Sequence, residues 1–346
     1  MKGLVVTNSE YVSLVEVKEL IGKKGKIGKK VVIFDCEPKE LCDLCYFGRS
    51  FSKVIELLCY FKFKNLEDIK NKIKINDFKA ESFAVRCIRI GNHSFSSTDV
   101  EKICGDAVRG KVDLKNPQKI LVAYIYENNF YFGIDYSGVD LGKRDYKIFS
   151  HPASLRGDIA YSLLRIADFK KKDILLDPFC GSGTILIEAA LFAINKSVNY
   201  YNKNKFAFLK FMNYEFKDKI DEESKIFGTD SSQNAIIAAQ KNAKIAGVDI
   251  KFSKTDVSWL DTRFSENYFD KIVTNPPAFS NKRKNEQTKK SIEELFSNAK
   301  YILKPKGTIT LITQKPEIIE EIATRNCFKL KKKTAIGNHS VLVFKQ

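Results

Sequence analysis

ILLDPFCGSGTILIEAA, residues 174–190, runs from a β-like apolar stretch through a glycine-rich turn into an apolar stretch of helical type. Glycines at such a turn let backbone approach a ligand closely, and the N-terminus of the following helix favours negative charge, so a phosphate is the first expectation. Two features oppose it. No lysine follows the glycines as a P-loop requires, and Asp177 sets a carboxylate at the strand end, where a phosphate is repelled. The turn suits a ligand with a cationic portion, such as a nucleoside carrying a zwitterionic amino acid; a plain strand-to-helix connection is the alternative. S-adenosylmethionine is the natural candidate of that description.

Around this stretch, from residue 150 onward, strand-like and helix-like runs alternate: KIFGTD, SQNAIIAAQKNAKIAG, IKFSKTD, KIVTNPP, SIEELFSNAKYIL and TITLIT. The alternation predicts an α/β domain over 150–346 with a doubly wound, mostly parallel, Rossmann-like sheet. At the end, FKLKKKTAIGN and HSVLVFKQ flank a Gly-Asn turn and predict an antiparallel hairpin. A parallel sheet closed by a hairpin resembles the class I methyltransferases.

In an open α/β sheet the ligand lies outside the carboxyl ends of the strands, and polar residues stand at four such ends: Asp177, Asp230, Asp256 and Asn275. Asp230, with Ser231 beside it, can accept from both ribose hydroxyls, since a carboxylate has two acceptor oxygens and no donor. Asp256 can accept from the adenine amino group, and Val257 offers a backbone N–H and an apolar wall. Gly181, Ser182 and Gly183 admit the methionine end, whose ammonium Asp177 offsets. Cys180 reads as a packing residue.

TNPPAF, residues 274–279, speaks to the reaction. An amine conjugated to a purine is a poor nucleophile because its lone pair is delocalised, so an enzyme that methylates it must orient that lone pair. Asn275 Oδ1 and the Pro276 carbonyl can accept the two N–H bonds, and successive prolines fix the backbone. The phrase resembles the Asn/Asp-Pro-Pro-aromatic motif of amino-directed nucleic-acid methyltransferases. Here Ala278 stands where the motif has its aromatic, and Phe279 follows one residue later, either to stack on the target base or to pack in the core.

The chain of 346 residues carries a formal charge of +17, which favours a polyanion partner. It has 44% hydrophobic residues and no apolar run near the ~18 needed to span a bilayer, and its start lacks a signal-peptide core, so a cytoplasmic protein away from membranes is expected. Cys42 and Cys45 form a C-x-x-C with Cys36 nearby, but no second pair or histidine stands at ligand spacing, and no metal is expected. The basic run SNKRKNEQTKK after the active phrase reads as a polar loop; such a run is usually a solvated face, and beside a base-methylating site phosphate contacts by Lys282, Arg283 and Lys284 are the favoured reading.

Ahead of the catalytic domain, residues 1–65 read as a small α+β unit and residues 66–136 as a second, with 137–149 a linker. FAVRCIRI is strand-like and carries Arg86 and Arg89; Thr98 and Glu101 bracket an expected capping box; KILVAYIY and FYFGID form a hairpin. The order strand, capped helix, Val112-x-Leu114-x-x-Pro117 and hairpin resembles the THUMP domain, which implies RNA binding and makes 1–65 the ferredoxin-like domain that often precedes it. KRDYKIFSHPASLRGDIAYSLLRIA resembles the phrase ahead of the glycine turn in THUMP-linked guanine-N2 methyltransferases, which implies that Pro152, Ser154 and Leu155 line the methionine end of the cofactor. Taken together the motifs resemble the archaeal tRNA guanine-N2 methyltransferases acting at guanine 6, which implies tRNA as partner and a monomeric enzyme. A guanine-10 enzyme of tRNA, a guanine-N2 enzyme of rRNA, and a non-catalytic RNA-binding protein with a degenerate fold are the rivals.

Overall fold

The computed structural model of the chain describes residues 1–75, 78–150, 154–221, 225–279 and 282–346. The β-branched N-terminal run forms β1 (Lys2–Thr7), followed by α1 (Glu10–Ile21), β2 (Gly25–Ile27), β3 (Val31–Asp35), α2 (Pro38–Phe47) and β4 (Phe51–Lys62). Next come α3 (Leu66–Lys72), β5 (Lys79–Ile90), α4 (Ser97–Asp106), β6 (Arg109–Val112), β7 (Lys119–Tyr126) and β8 (Asn129–Asp135). The cap of α4 falls two residues earlier than expected. Ser96 Oγ accepts from the Asp99 N–H (3.2 Å) and Asp99 accepts from the Ser96 N–H (2.8 Å), while Glu101 accepts from the Cys87 N–H (2.8 Å) instead.

These eight strands form one sheet in the order β2-β3-β1-β4-β8-β7-β5-β6. β4 pairs antiparallel with β8 from Ile55↔Asp135 to Lys62↔Asn129, so a boundary at 65/66 cuts a continuous sheet. Two compact units result: residues 1–141 with 201–217, and residues 142–200 with 218–346. The 137–149 stretch is not loose. Leu141 is buried in the first unit's core, and Arg144 and Tyr146 are buried in the second.

The insertion 201–217 was expected within the 150–346 domain, yet it packs on the first unit. Phe206 and Phe208 are buried in the same cluster as Tyr46 and Tyr136, and Tyr214 donates to Asp43 (2.5 Å). The segment NKFAFLKFMNYEF carries more aromatic surface than a solvated crossover needs, which is the signal that marks it.

In the second unit the elements are α5 (Gly157–Ile166), β9 (Leu175–Asp177), α6 (Thr184–Ala193), β10 (Ile226–Asp230), α7 (Gln233–Ala246), β11 (Lys251–Lys254), α8 (Leu260–Arg263) and β12 (Phe269–Thr274). They continue with α9 (Lys282–Ile302), β13 (Leu303–Thr313), α10 (Pro316–Arg325), β14 (Lys329–Ile336) and β15 (His339–Lys345). The sheet order is β11-β10-β9-β12-β13-β15-β14, parallel except where β15 runs antiparallel to β13 and β14. The order reverses between β9 and β12, which is where an open sheet opens a crevice at its carboxyl edge.

Candidate active site

The chain leaves β9 and turns back into α6 over residues 178–183, and hydrogen bonds set that turn. Asp177 Oδ1 accepts from the Phe179 N–H (3.1 Å) and Asp230 Oδ2 from the Gly181 N–H (3.0 Å); the Cys180 N–H donates to the Thr229 carbonyl (3.0 Å). Gly181 and Gly183 have φ of +52° and +83°, a left-handed conformation costly for other residues, and a Cβ on Gly183 would approach that of Ala239 to 3.1 Å. Gly183 therefore shapes the turn and caps α6, while Gly181 and Ser182 line the cavity.

That cavity has a volume of about 610 Å³. Asp177, Asp230, Asp256 and Asn275, from the ends of four strands, all line it, together with Ser154, Leu155, Ser231 and Val257. Ser154 Oγ lies 2.9 Å from Ser182 Oγ and 3.0 Å from Thr184 Oγ1, tying the segment ahead of α5 to the glycine turn. Lys147 Nζ donates to the carbonyls of Ser154 (3.3 Å) and Leu155 (2.6 Å). Behind the turn, Arg144 makes a buried two-pronged ion pair with Glu188 of α6, to which Tyr146 also donates (2.8 Å). Lys147, Arg144 and Glu188 were not singled out by sequence, since nothing local pairs residues so far apart along the chain.

Asp177 is buried, and burial pushes its carboxyl up to about 7 against the hydrogen bonds from Thr274 Oγ1 (2.6 Å) and Phe179; the Asp230 charge adds to the rise. Its Oδ2 accepts no hydrogen bond among the described residues. A cation placed there restores the ionised form. The folded value lies above the ordinary 3.8, so the folded state holds a proton the unfolded state has released, and this group's contribution to stability falls as pH rises from about 4 to 7. Binding of a ligand ammonium at Asp177 should strengthen as pH rises from 5.5 to 7, up to ~10-fold per unit, and level off above. Calorimetry across that range tests this, and Asp177→Asn should flatten the profile.

Asp230 also accepts from the Ser232 N–H (2.8 Å), so each oxygen is oriented by one backbone donor and keeps a lone pair. Asp256 is exposed, and its Oδ1 accepts from Ser258 N (3.0 Å) and Oγ (2.8 Å). Pro276 is buried beneath the cavity wall, which Pro277 and Ala278 form. Phe279 is half-buried against the core cluster of α9 and α10 and does not line the cavity. Among the described residues, Phe179 is the aromatic side chain that lines the cavity. Gln287, Thr288 and Ser291 line it from α9, where the inward stripe of Ile292, Leu295 and Phe296 turns polar, a break that sequence reading passed over.

The expected loop SNKRKNEQTKK is helical from Lys282 onward, because it is continuous with the amphipathic run SIEELFSNAKYIL. The side chains of Lys282, Arg283 and Lys284, and all of Pro152, lie outside the described residues. Arg86 and Arg89 sit on β5 at odd spacing and so point to opposite faces of the sheet. Arg86 donates to the Leu114 carbonyl (3.0 Å), whereas Arg89 is held by His93 (3.1 Å) and lies over Phe95. Cys42 and Cys45 are buried on α2, and burial pushes both thiols up.

The model for the family described as RMKL-like, methyltransferase domain matches residues 144–344, and the THUMP domain model matches residues 63–135. This chain belongs to the RMKL-like methyltransferases. It is 33% identical to the tRNA (guanine(6)-N2)-methyltransferase of Methanocaldococcus jannaschii over 91% of this chain and 89% of that one. The same identity relates it to the tRNA (guanine(6)-N2)-methyltransferase of Archaeoglobus fulgidus over 76% and 68%. In fold it is similar to SMU.472, solved in complex with SAH, with a TM-score of 0.77 at 16% identity over 100% of this chain and 98% of that one. No helix among the described residues is long and apolar enough to cross a membrane.

Proposed function

We propose that this chain is a tRNA methyltransferase that uses S-adenosylmethionine to methylate the exocyclic N2 of a guanine, guanine 6 of the acceptor stem. The observation that carries the reading is the convergence of Asp177, Asp230, Asp256 and Asn275 on one cavity across the reversal of strand order. The two archaeal relatives add the nucleotide and its position.

The residues fit the cofactor. Asp177 supplies a buried carboxylate for an ammonium, Asp230 keeps an acceptor lone pair on each oxygen for vicinal hydroxyls, and Asp256 with Val257 offers an acceptor beside an apolar wall for the adenine. When bound, S-adenosylmethionine supplies a methyl group already activated on a sulfonium. The protein's part is positioning. Asn275 Oδ1 and the Pro276 carbonyl accept the two N–H bonds of the guanine amine and aim its lone pair at the methyl carbon. With the cofactor held by Asp177, Asp230 and Asp256, the activated methyl group would be transferred to the oriented amine nitrogen, which would then release one proton to water.

Asp230→Ala removes the ribose acceptors and should weaken cofactor binding by about 1.5–3 kcal/mol, the scale of hydrogen bonds to a charged group, with folding retained. Unchanged affinity by calorimetry removes Asp230 from the site. The function itself is tested with labelled S-adenosylmethionine and unmodified total tRNA. N2-methylguanosine mapped to position 6 is expected. Label at guanine 10 or in rRNA reassigns the substrate, and cofactor binding without methylation of any RNA overturns the enzymatic reading.

A further inference from the structure

The first unit holds a trough that the methylation site does not use. Helices α1 to α4 pack on one face of the eight-stranded sheet, in the cluster containing Val17, Leu44, Ile69 and Val100. The other face carries a cluster made of strand residues alone, from Leu4 and Ile55 to Tyr124 and Tyr131. The turn of the edge hairpin β2–β3 comes close to this second face. Lys29 at its turn pairs with Glu127 at the β7–β8 turn (2.6 Å), and a Cβ on Gly28 would lie 3.3 Å from the Tyr131 hydroxyl. Between hairpin and sheet runs a groove of about 500 Å³.

Its floor and rim differ in chemistry. On the floor, Tyr60 and Tyr131 are cross-strand partners whose rings lie nearly parallel, at 14° with centroids 6.3 Å apart. Tyr131 is buried while Tyr60 is 55% exposed, so Tyr60 is the member of the pair that meets solvent. Along the rim, Lys24, Lys26 and Lys62 are exposed and make no ion pair among the described residues; Lys2 also lines the groove and is paired with Asp35 (3.3 Å). An exposed ring beside unpaired ammoniums combines a flat apolar surface with positive charge, which together select an anionic ligand with flat apolar parts. A nucleic acid strand has both, and only unpaired bases expose their flat faces.

We propose that this trough binds unpaired nucleotides of the RNA, with a base stacked on Tyr60 and backbone phosphates against Lys24, Lys26 and Lys62. The proposal rests on RNA being the substrate class. It places recognition of a single-stranded segment on the β2–β3 side of the sheet.

The test uses the full-length protein and fluorescence anisotropy with a labelled six-nucleotide single-stranded RNA and a blunt RNA duplex. Tyr60→Ala should weaken binding of the single strand about 5- to 150-fold, the range for loss of one base–aromatic stack, and leave duplex and cofactor affinity unchanged. Tyr60→Phe, which keeps the ring, should retain affinity. Replacing Lys26 and Lys62 with Ala should reduce the slope of log affinity against log salt by about 1.4, about 0.7 for each lost phosphate contact. Unchanged single-strand affinity in Tyr60→Ala, an equal loss for the duplex, or an equal loss in Tyr60→Phe overturns the proposal. Methylation of tRNA with an inert Tyr60 defeats the trough alone; stacking on Tyr60 without methylation of any RNA defeats the functional reading alone.

Discussion

Asn275→Ala is expected to lower the single-turnover methylation rate by more than the ~10²-fold typical of losing one well-placed hydrogen-bonding group. The excess comes from misorientation, because an amine free to rotate about its conjugated bond seldom points its lone pair at the methyl carbon. The main chain of Pro276 remains in place, since Pro276 is buried and followed by a second proline, so the loss is confined to the side chain. Affinity for tRNA should barely change, because phosphate contacts elsewhere supply most of it. Asn275→Asp keeps an acceptor at the same place and should retain more activity than Ala. Equal losses in the two variants, at saturating cofactor, assign Asn275 a structural role.

Removing the first unit should abolish most tRNA affinity, but the deletion has to follow the tertiary structure. Cutting away residues 1–136 alone strips the cover from Phe206 and Phe208, which are buried in the first unit's core along with the partly buried Phe211 and Phe216. Burying each such ring is worth about 1.5–3 kcal/mol, so that truncated chain should aggregate. Removing residues 1–141 and also replacing 201–217 with a short Gly/Ser connection should give a folded domain that binds S-adenosylmethionine with unchanged affinity and has lost tRNA binding. Light scattering and calorimetry on the two truncations, with filter binding of tRNA, decide the matter. Wild-type methylation of tRNA by the second truncation would refute the assignment of RNA recognition to the first unit.

Much of the second unit was legible along the chain. Each βα step places its strand, its polar strand end and its helix within a few tens of residues, and the strand ends of a parallel sheet share one edge by topology. Local order alone thus brought Asp177, Asp230, Asp256 and Asn275 to one site, and all four line the cavity. The closing hairpin around Gly337 and Asn338 was legible for the same reason, since a turn and its two strands are contiguous.

Contacts between distant stretches belonged to tertiary structure. The pairing of β4 with β8 makes one sheet of two expected domains, because backbone donors at a strand edge accept any partner in register, and composition does not say which. The return of 201–217 to the first unit depends on where a complementary apolar surface stands, which lies more than sixty residues upstream. Arg86 and Arg89 shared a strand by sequence, yet the period of two sends them to opposite faces. Phe279 had two open roles, stacking or packing, and it is the fold that sets its ring half-buried against the core cluster of α9 and α10, outside the cavity lining. The sequence by itself determined which side chains could do chemistry and on which edge they would meet, because those relations are local; the tertiary structure alone decided which surfaces are covered, because burial depends on chain segments that local pattern does not connect.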